Sequence, residues 1–184
     1  MGLAEDIRTY LPVNEQEQRD QQLMLSLIES GQDIYTRDNE IAHLTASAWV
    51  TSPDHQLVLM CYHNIYDSWS WLGGHADGER DLSAVALREV REESGLTSAR
   101  LVSPDIYSLE VLTVDGHEKR GRYVSSHLHL NLTYLVEADP DEPLTSKADE
   151  NSGLRWFTRE GAIAASSEPW FIERVYPKLN AKLG

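Results

Sequence analysis

The spacing of apolar positions along the chain changes character near His43, and that change divides the sequence. Before it, Leu23, Met24, Leu27 and Ile28 recur at helical spacing. Asn14 with Glu17 three residues later makes a capping box, and Gly31 supplies a stop. This predicts an N-terminal helical extension over residues 1–35 that packs on the main body over 36–184 and leaves a Gln- and Glu-rich face in water. After it, His43 to Thr51 and Gln56 to His63 read as strands of a hairpin turned by Ser52-Pro53-Asp54. Ile106 to Val114, Tyr123 to Val136 and Leu154 to Phe157 read as further strands, the first two separated by the charged stretch from Asp115 to Gly121. A helix over Asp81 to Ser94 stands between them, capped by Asp81 and ended by Gly95 and Leu96. A last helix follows Ser167, with Phe171, Ile172, Val175 and Leu179 as its stripe and Pro177 expected to kink or end it. Strands, one central helix, more strands and a closing helix give an α+β fold, a layered sandwich with a mixed sheet.

Composition narrows the classes. A chain of 184 residues, 41% hydrophobic and 25% charged, is one ordinary globular domain with an appendage. Its net charge of −14 excludes nucleic-acid binding by bulk charge. Cys61 stands alone, so no intrachain disulfide forms and a reducing compartment is the simplest setting. Apolar runs are too short to span a membrane, and no basic-then-apolar leader opens the chain. A cytoplasmic protein is the expectation.

The chemistry gathers on the central helix. At about 100° per residue, Glu89, Glu92 and Glu93 share one face, while Ala86, Leu87 and Val90 point to the core. Arg88 and Arg91 interleave, so the bland reading is a solvated charged face. The preceding loop argues against it: Trp71-Leu72-Gly73-Gly74-His75-Ala76-Asp77-Gly78 lets backbone approach a ligand and feeds the helix N-terminus. Clustered carboxylates suit hard divalent cations, which pair with phosphate oxygens.

The stretch Gly73 to Leu96, GGHADGERDLSAVALREVREESGL, resembles the Nudix box. Measured from Gly74, Arg88-Glu89, Val90, Glu92-Glu93, Gly95 and Leu96 all fall where that signature requires. The resemblance extends through the strand order, Trp156-Phe157 and the closing helix, and implies a Nudix-type α/β/α sandwich. It further implies Mg²⁺- or Mn²⁺-dependent hydrolysis of a diphosphate linkage in a nucleoside diphosphate derivative, a small-molecule substrate. Glu89, Glu92 and Glu93 would be the metal ligands, Arg88 would orient a carboxylate, and Gly73 and Gly74 would lie against substrate. The fold class admits a homodimer.

The sequence departs from the signature at its first glutamate, where Arg80 stands and Glu79 comes one position early. Either Glu79 reaches in from a remodelled loop or its support of the site is lost. Leu72 also replaces the proline that often precedes the glycine pair. Glu150, in the loop before the Leu154 strand, is the candidate general base. His127 and His129 alternate with Asn131 and Thr133 on one strand face. They are assigned to substrate contact or hydrogen-bonded structure, because the sequence places no third zinc ligand beside them and Cys61 lies on another strand. Trp71 is the candidate for stacking on a base, among Tyr62, Tyr66 and Trp69. Two rivals remain: a Nudix-fold module that senses a nucleotide without cutting it, and an isoprenoid diphosphate isomerase, which requires a cysteine facing the metal.

Overall fold

A computed structural model describes residues 2–64, 67–119, 121–146 and 151–184. Two helices open the chain, α1 (Leu3–Thr9) and α2 (Glu15–Glu29). The cap is as expected on one side, Asn14 accepting the Glu17 N–H at 2.9 Å. On the other, the Glu17 carboxylate reaches one residue further back and accepts the Val13 N–H. Strands β1 (Ala42–Thr51), β2 (Leu57–His63), β3 (Ser68–Ser70) and β4 (Leu72–His75) precede α3 (Leu82–Ser94). The chain continues through β5 (Arg100–Leu101), β6 (Ser108–Val114), β7 (His117–Lys119), β8 (Arg122–Val124), β9 (His127–Glu137) and β10 (Asn151–Thr158). Helices α4 (Arg159–Ala165) and α5 (Tyr176–Ala181) close it.

The sheet is mixed and branched. Its path runs β10-β2-β1-β9-β5, with β3 on β2, β4 on β1 and β6 on β9. The predicted hairpin forms but splays: β1 meets β2 at Thr51↔Val58, whereas Thr45 to Ala48 pair with β4. On its other side β1 runs parallel to β9 over ten residues, from Ala42↔Leu128 to Thr51↔Glu137. The single strand expected over Tyr123 to Val136 is two, since Arg122–Val124 folds back on β7 as a separate hairpin.

Alternation along β1 sorts the two faces. Leu44, Ala46, Ala48 and Val50 face a core shared with Val85, Ala86 and Val90 of α3, and with Ile7 and Met24 of the N-terminal helices. Trp49, Val58 and Met60 face a second core closed by Ala162, Val175, Tyr176 and Leu179. Pro177 does not end the last helix, which continues to Ala181. A wide π turn over Phe171–Val175 precedes it and places the proline in the first turn of α5, where no N–H is needed. No helix among the described residues is long and apolar enough to cross a membrane.

The N-terminal extension does more than cover a core. On the edge strand β6, the Val111 N–H donates to the Asp20 carboxylate at 3.0 Å and the Leu109 carbonyl accepts from Gln16 at 3.4 Å. Helix α2 thereby occupies an edge that would otherwise be open to another strand. Below it lies a buried ion network. Glu17 meets Lys178 at 3.2 Å and Lys182 at 2.8 Å, and Lys178 meets Glu110 at 2.9 Å, with both carboxylates fully buried.

Burial alone would raise the Glu17 carboxyl, but Lys182, the Val13 N–H and Lys178 draw it down to about 2 from the ordinary 4.5. A depressed carboxylate adds stability that is complete above the unfolded value and drains as pH falls from about 4.5 towards 2. Replacing Glu17 with Gln is therefore expected to cost about 3 kcal/mol at pH 7 by urea unfolding. The gap between wild type and variant narrows at pH 3; a constant gap would contradict the pairing.

Candidate functional site

Helix α3 begins where the Asp81 carboxylate accepts the Ala84 N–H at 3.0 Å and ends at Gly95, whose φ of +74° is left-handed. These caps fix its register, and its acidic face turns to β4. There the glycine pair is required by space. A Cβ on Gly74 would lie 2.6 Å from the Glu89 carboxyl carbon, and one on Gly73 would lie 2.5 Å from the Ala46 carbonyl oxygen. The Glu89 carboxylate thus rests directly on the strand, and Glu93 accepts the Gly73 N–H at 3.3 Å. Two of the three predicted carboxylates meet at the glycine strand.

Glu92 is placed differently. Its side chain is 46% exposed and borders a shallow depression with Ala84, Leu87 and Arg91 on the outer flank of α3. Arg88 links the two settings, donating to Glu89 at 2.9 Å and approaching Glu92 at 3.8 Å. Its hydrogen bond to Glu89 raises the guanidinium further above its ordinary value. Arg88 thus hydrogen-bonds the Glu89 carboxylate. Glu79 does not reach in: its carboxylate accepts the Arg80 and Asp81 N–H groups at 2.7 and 3.1 Å and buttresses the start of the helix. The Arg80 guanidinium lies over the Tyr35 ring, 4.5 Å from its centre.

Glu89 and Glu93 open into a cavity of about 570 Å³, a size that suits a small ligand. Six histidines line it as well, and four of them, His43, His75, His127 and His129, stand together. In the β1/β9 pairing His43 stands opposite His129, and β4 brings His75 opposite Thr45. Ring centroids in this group lie 4.8 to 5.3 Å apart. Burial, then the neighbouring imidazoles of His75, His43 and His127, hold His129 down to about 2, so its ring is neutral. Asn131 and Thr133 share the face, as alternation predicted, but bind one another and Glu110. Trp71 lines the cavity while only 8% exposed, its ring edge-on to Phe171 and Tyr176.

Glu150 and Tyr66 lie outside the described residues. Cys61 is buried and donates to the Trp71 carbonyl at 3.4 Å, and burial together with Glu93 pushes its thiol up. It is a packed thiol rather than a reactive one. Sequence reading missed His43 and His75 as partners of the β9 histidines, and Glu168, which also lines the cavity. Alternation of His43 with Thr45 and Ser47 was the available signal for the first; only the strand pairing reveals the second.

A profile of the NUDIX domain matches residues 42–179. The chain belongs to the Nudix family. Its box is the α3 site just described, and membership puts it in the class of pyrophosphate-cleaving hydrolases. Comparison with curated proteins by sequence gives no match. Among solved structures, a Caenorhabditis elegans Ap4A hydrolase in a binary complex aligns with TM-score 0.56 at 19% identity, over 76% of this chain and 96% of that one. A MutT protein from Methanosarcina mazei Go1 aligns with TM-score 0.53 at 14% identity over 79% and 97%. The Escherichia coli dihydroneopterin triphosphate pyrophosphohydrolase aligns with TM-score 0.51 at 15% identity over 73% and 92%. These likenesses establish the Nudix fold.

The two glycines make separable predictions. Gly73→Ala drives a methyl into backbone and is expected to lose about 1–3 kcal/mol in urea unfolding. Gly74→Ala meets only the end of a flexible side chain, so it keeps its stability but displaces Glu89 and loses about a hundredfold in pyrophosphate-bond hydrolysis.

Proposed function

We propose that this Nudix protein hydrolyses a diphosphate linkage in a nucleoside diphosphate derivative, with Mg²⁺ or Mn²⁺ as cofactor, in the cytoplasm. Residues 36–184 are the hydrolase unit in this reading and residues 1–35 its extension. The observation that carries it is the Glu89 carboxylate seated on Gly74 beside Glu93, in a strand that leaves no room for a Cβ, at the wall of a cavity of about 570 Å³. A hard cation fits this donor set, carboxylate oxygens presented from one side of an open space. Glu89 and Glu93 would hold it, while Glu92 stands on the outer flank of α3, outside the cavity they share. Bound there, the ion would neutralise charge on the phosphate oxygens and ease ionisation of water.

The protein's own groups supply the rest. Arg88 fixes the Glu89 carboxylate, which shares that hydrogen bond with the close backing of Gly74. Gly73 and Gly74 present a flat strand to the diphosphate, and His127, His129 and Trp71 bound the space a substrate would enter. Two carboxylates are candidates to accept the proton of the attacking water. Glu150 is one by its place before β10. Glu168 is the other: it lines the cavity, and burial raises its carboxyl towards neutrality, where a general base works best.

The departure at Arg80 favours a second reading, a module that binds a nucleotide without cutting it. One experiment separates the two. Purified protein with Mg²⁺ or Mn²⁺ is offered nucleotide sugars, dinucleoside polyphosphates, dihydroneopterin triphosphate and oxidised nucleotides, and phosphate-containing products are measured. Turnover of at least one compound is expected, and Glu93→Gln should reduce it by at least about two orders of magnitude with unchanged thermal unfolding. Binding with no product from any compound would establish the sensing module instead. Turnover that survives Glu93→Gln would remove the metal assignment.

A further inference from the structure

Outside the carboxylates of the box, the densest collection of metal-ligating atoms in the described residues is the histidine group on the sheet. We propose that His43, His75 and His129, with His127 beside them, form a transition-metal site of the zinc class, chemically separate from the site for Mg²⁺ or Mn²⁺. The proposal does not rest on the hydrolase reading, since it concerns different side chains and a different class of ion.

Three strands build the group. The parallel register places His43 of β1 against His129 of β9, and antiparallel β4 sets His75 on the same face of β1. One ring nitrogen from each of His43, His75 and His129 lies within 4.8 Å of the others. Tetrahedral zinc with bonds of about 2.0–2.1 Å needs its nitrogens about 3.3 Å apart and its ring centroids about 5 Å apart. The centroids already meet that requirement, at 4.8 to 5.3 Å. Closing the nitrogens is then a matter of side-chain rotation, with no backbone movement. His127 adds a nitrogen 3.2 Å from that of His129, the edge length of such a tetrahedron.

The decisive observation is at His43. Its Nδ1 lies 3.0 Å from the Asn39 carbonyl oxygen, and because a carbonyl only accepts, the proton is on Nδ1 and the lone pair on Nε2. That Nε2 is buried without a hydrogen-bond partner among the described residues, and His43 is only 4% exposed. A buried acceptor left unsatisfied is destabilising, and an ion at the centre of the group would remove that cost. His127 is oriented the same way, its Nδ1 held 2.7 Å from the Ser125 carbonyl oxygen and its Nε2 turned to His129. A backbone carbonyl fixing the remote ring nitrogen is the outer-shell arrangement typical of histidine ligands.

Ligand softness separates the two sites. Imidazole suits zinc, cobalt, nickel and copper, whereas carboxylate oxygen suits magnesium and manganese. Glu40, Asp77, Glu89, Glu93 and Glu168 border the same cavity and favour a cation there; among the described lining residues the opposing charge is Arg37, which Asp77 pairs at 2.7 Å. With three protein nitrogens the ion keeps a position open to the cavity, where it would meet an anionic ligand. If His127 closes the shell, the ion instead staples β1, β4 and β9 together.

The test uses the tag-free full chain, stripped with chelator and titrated with Co²⁺ and then Zn²⁺ in a large excess of Mg²⁺, read by visible absorption and calorimetry. One equivalent of Co²⁺ with the intense visible bands of a four-coordinate nitrogen site is expected, displaced by Zn²⁺. His75→Gln and His129→Gln should each weaken Zn²⁺ binding by more than about a hundredfold, while Glu93→Gln leaves it intact. His75, on a short strand at the cavity wall and not fully buried, is the variant that keeps the test sound if replacing His129 impairs folding. No uptake in the presence of Mg²⁺, or uptake lost in Glu93→Gln but retained in the histidine variants, overturns the site.

Discussion

The parallel register of β1 on β9 is the constraint from which the rest of the molecule follows. It puts His43 beside His129, Thr45 beside Asn131 and Ser47 beside Thr133, so one face of the sheet centre is polar while the other carries Leu44, Ala46 and Ala48 into the core. A one-residue slip would exchange the faces and bury the imidazoles against α3. Polar groups buried at a sheet centre must be paired, and here each pairing recruits the next. Thr45 and Ser47 donate to the Asn131 carbonyl oxygen, the Asn131 amide donates to Glu110, and Glu110 takes Lys178.

That chain ends in the N-terminal helices. Lys178 needs Glu17 as well as Glu110, and Lys182 needs Glu17, so α2 is tied to α5 and the residue that follows it by largely buried charges. Such pairs are poor sources of net stability compared with apolar packing, but they penalise any arrangement that leaves one partner alone. Their use here is positional. They hold α2 along the edge of β6 and fix β6 on β9, and β9 contributes His127, His129 and Asn131 to the cavity wall. An extension that reads as an appendage in sequence is thereby coupled to the geometry of the site.

The parts of this structure legible in sequence are those governed by short-range rules. The caps of α3, the alternation of His127, His129, Asn131 and Thr133, and the common face of Glu89 and Glu93 all depend on residues within one turn or a few strand positions. What was not legible depends on strand pairing. Nothing near His75 indicates that β4 will lie on β1 rather than continue the hairpin, and nothing near Pro177 indicates a π turn five residues wide before it. The split of Tyr123 to Val136 into two strands belongs to the same class, since β8 finds its partner in β7 and not in the main sheet. Glu92 shows the limit of helical-wheel reasoning: a common arc on α3 did not bring it to the common cavity, because β4 covers only the flank carrying Glu89 and Glu93.

Strand β4 is where these constraints converge, and its two kinds of residue explain each other. The glycines let β4 lie close between β1 and the carboxylates of α3: a Cβ on Gly73 would strike backbone of β1, and one on Gly74 would push the Glu89 carboxylate aside. Once so placed, the next residue in the strand, His75, falls on the opposite side of the pleat and joins the imidazoles on the polar face. A strand of four residues therefore backs the carboxylates of α3 on one side and adds an imidazole to the histidine group on the other. Nearness of the two is a consequence of the pleat and of backbone packing. They share a cavity because β4 lies at its wall, with carboxylates against one side of the strand and imidazoles on the other.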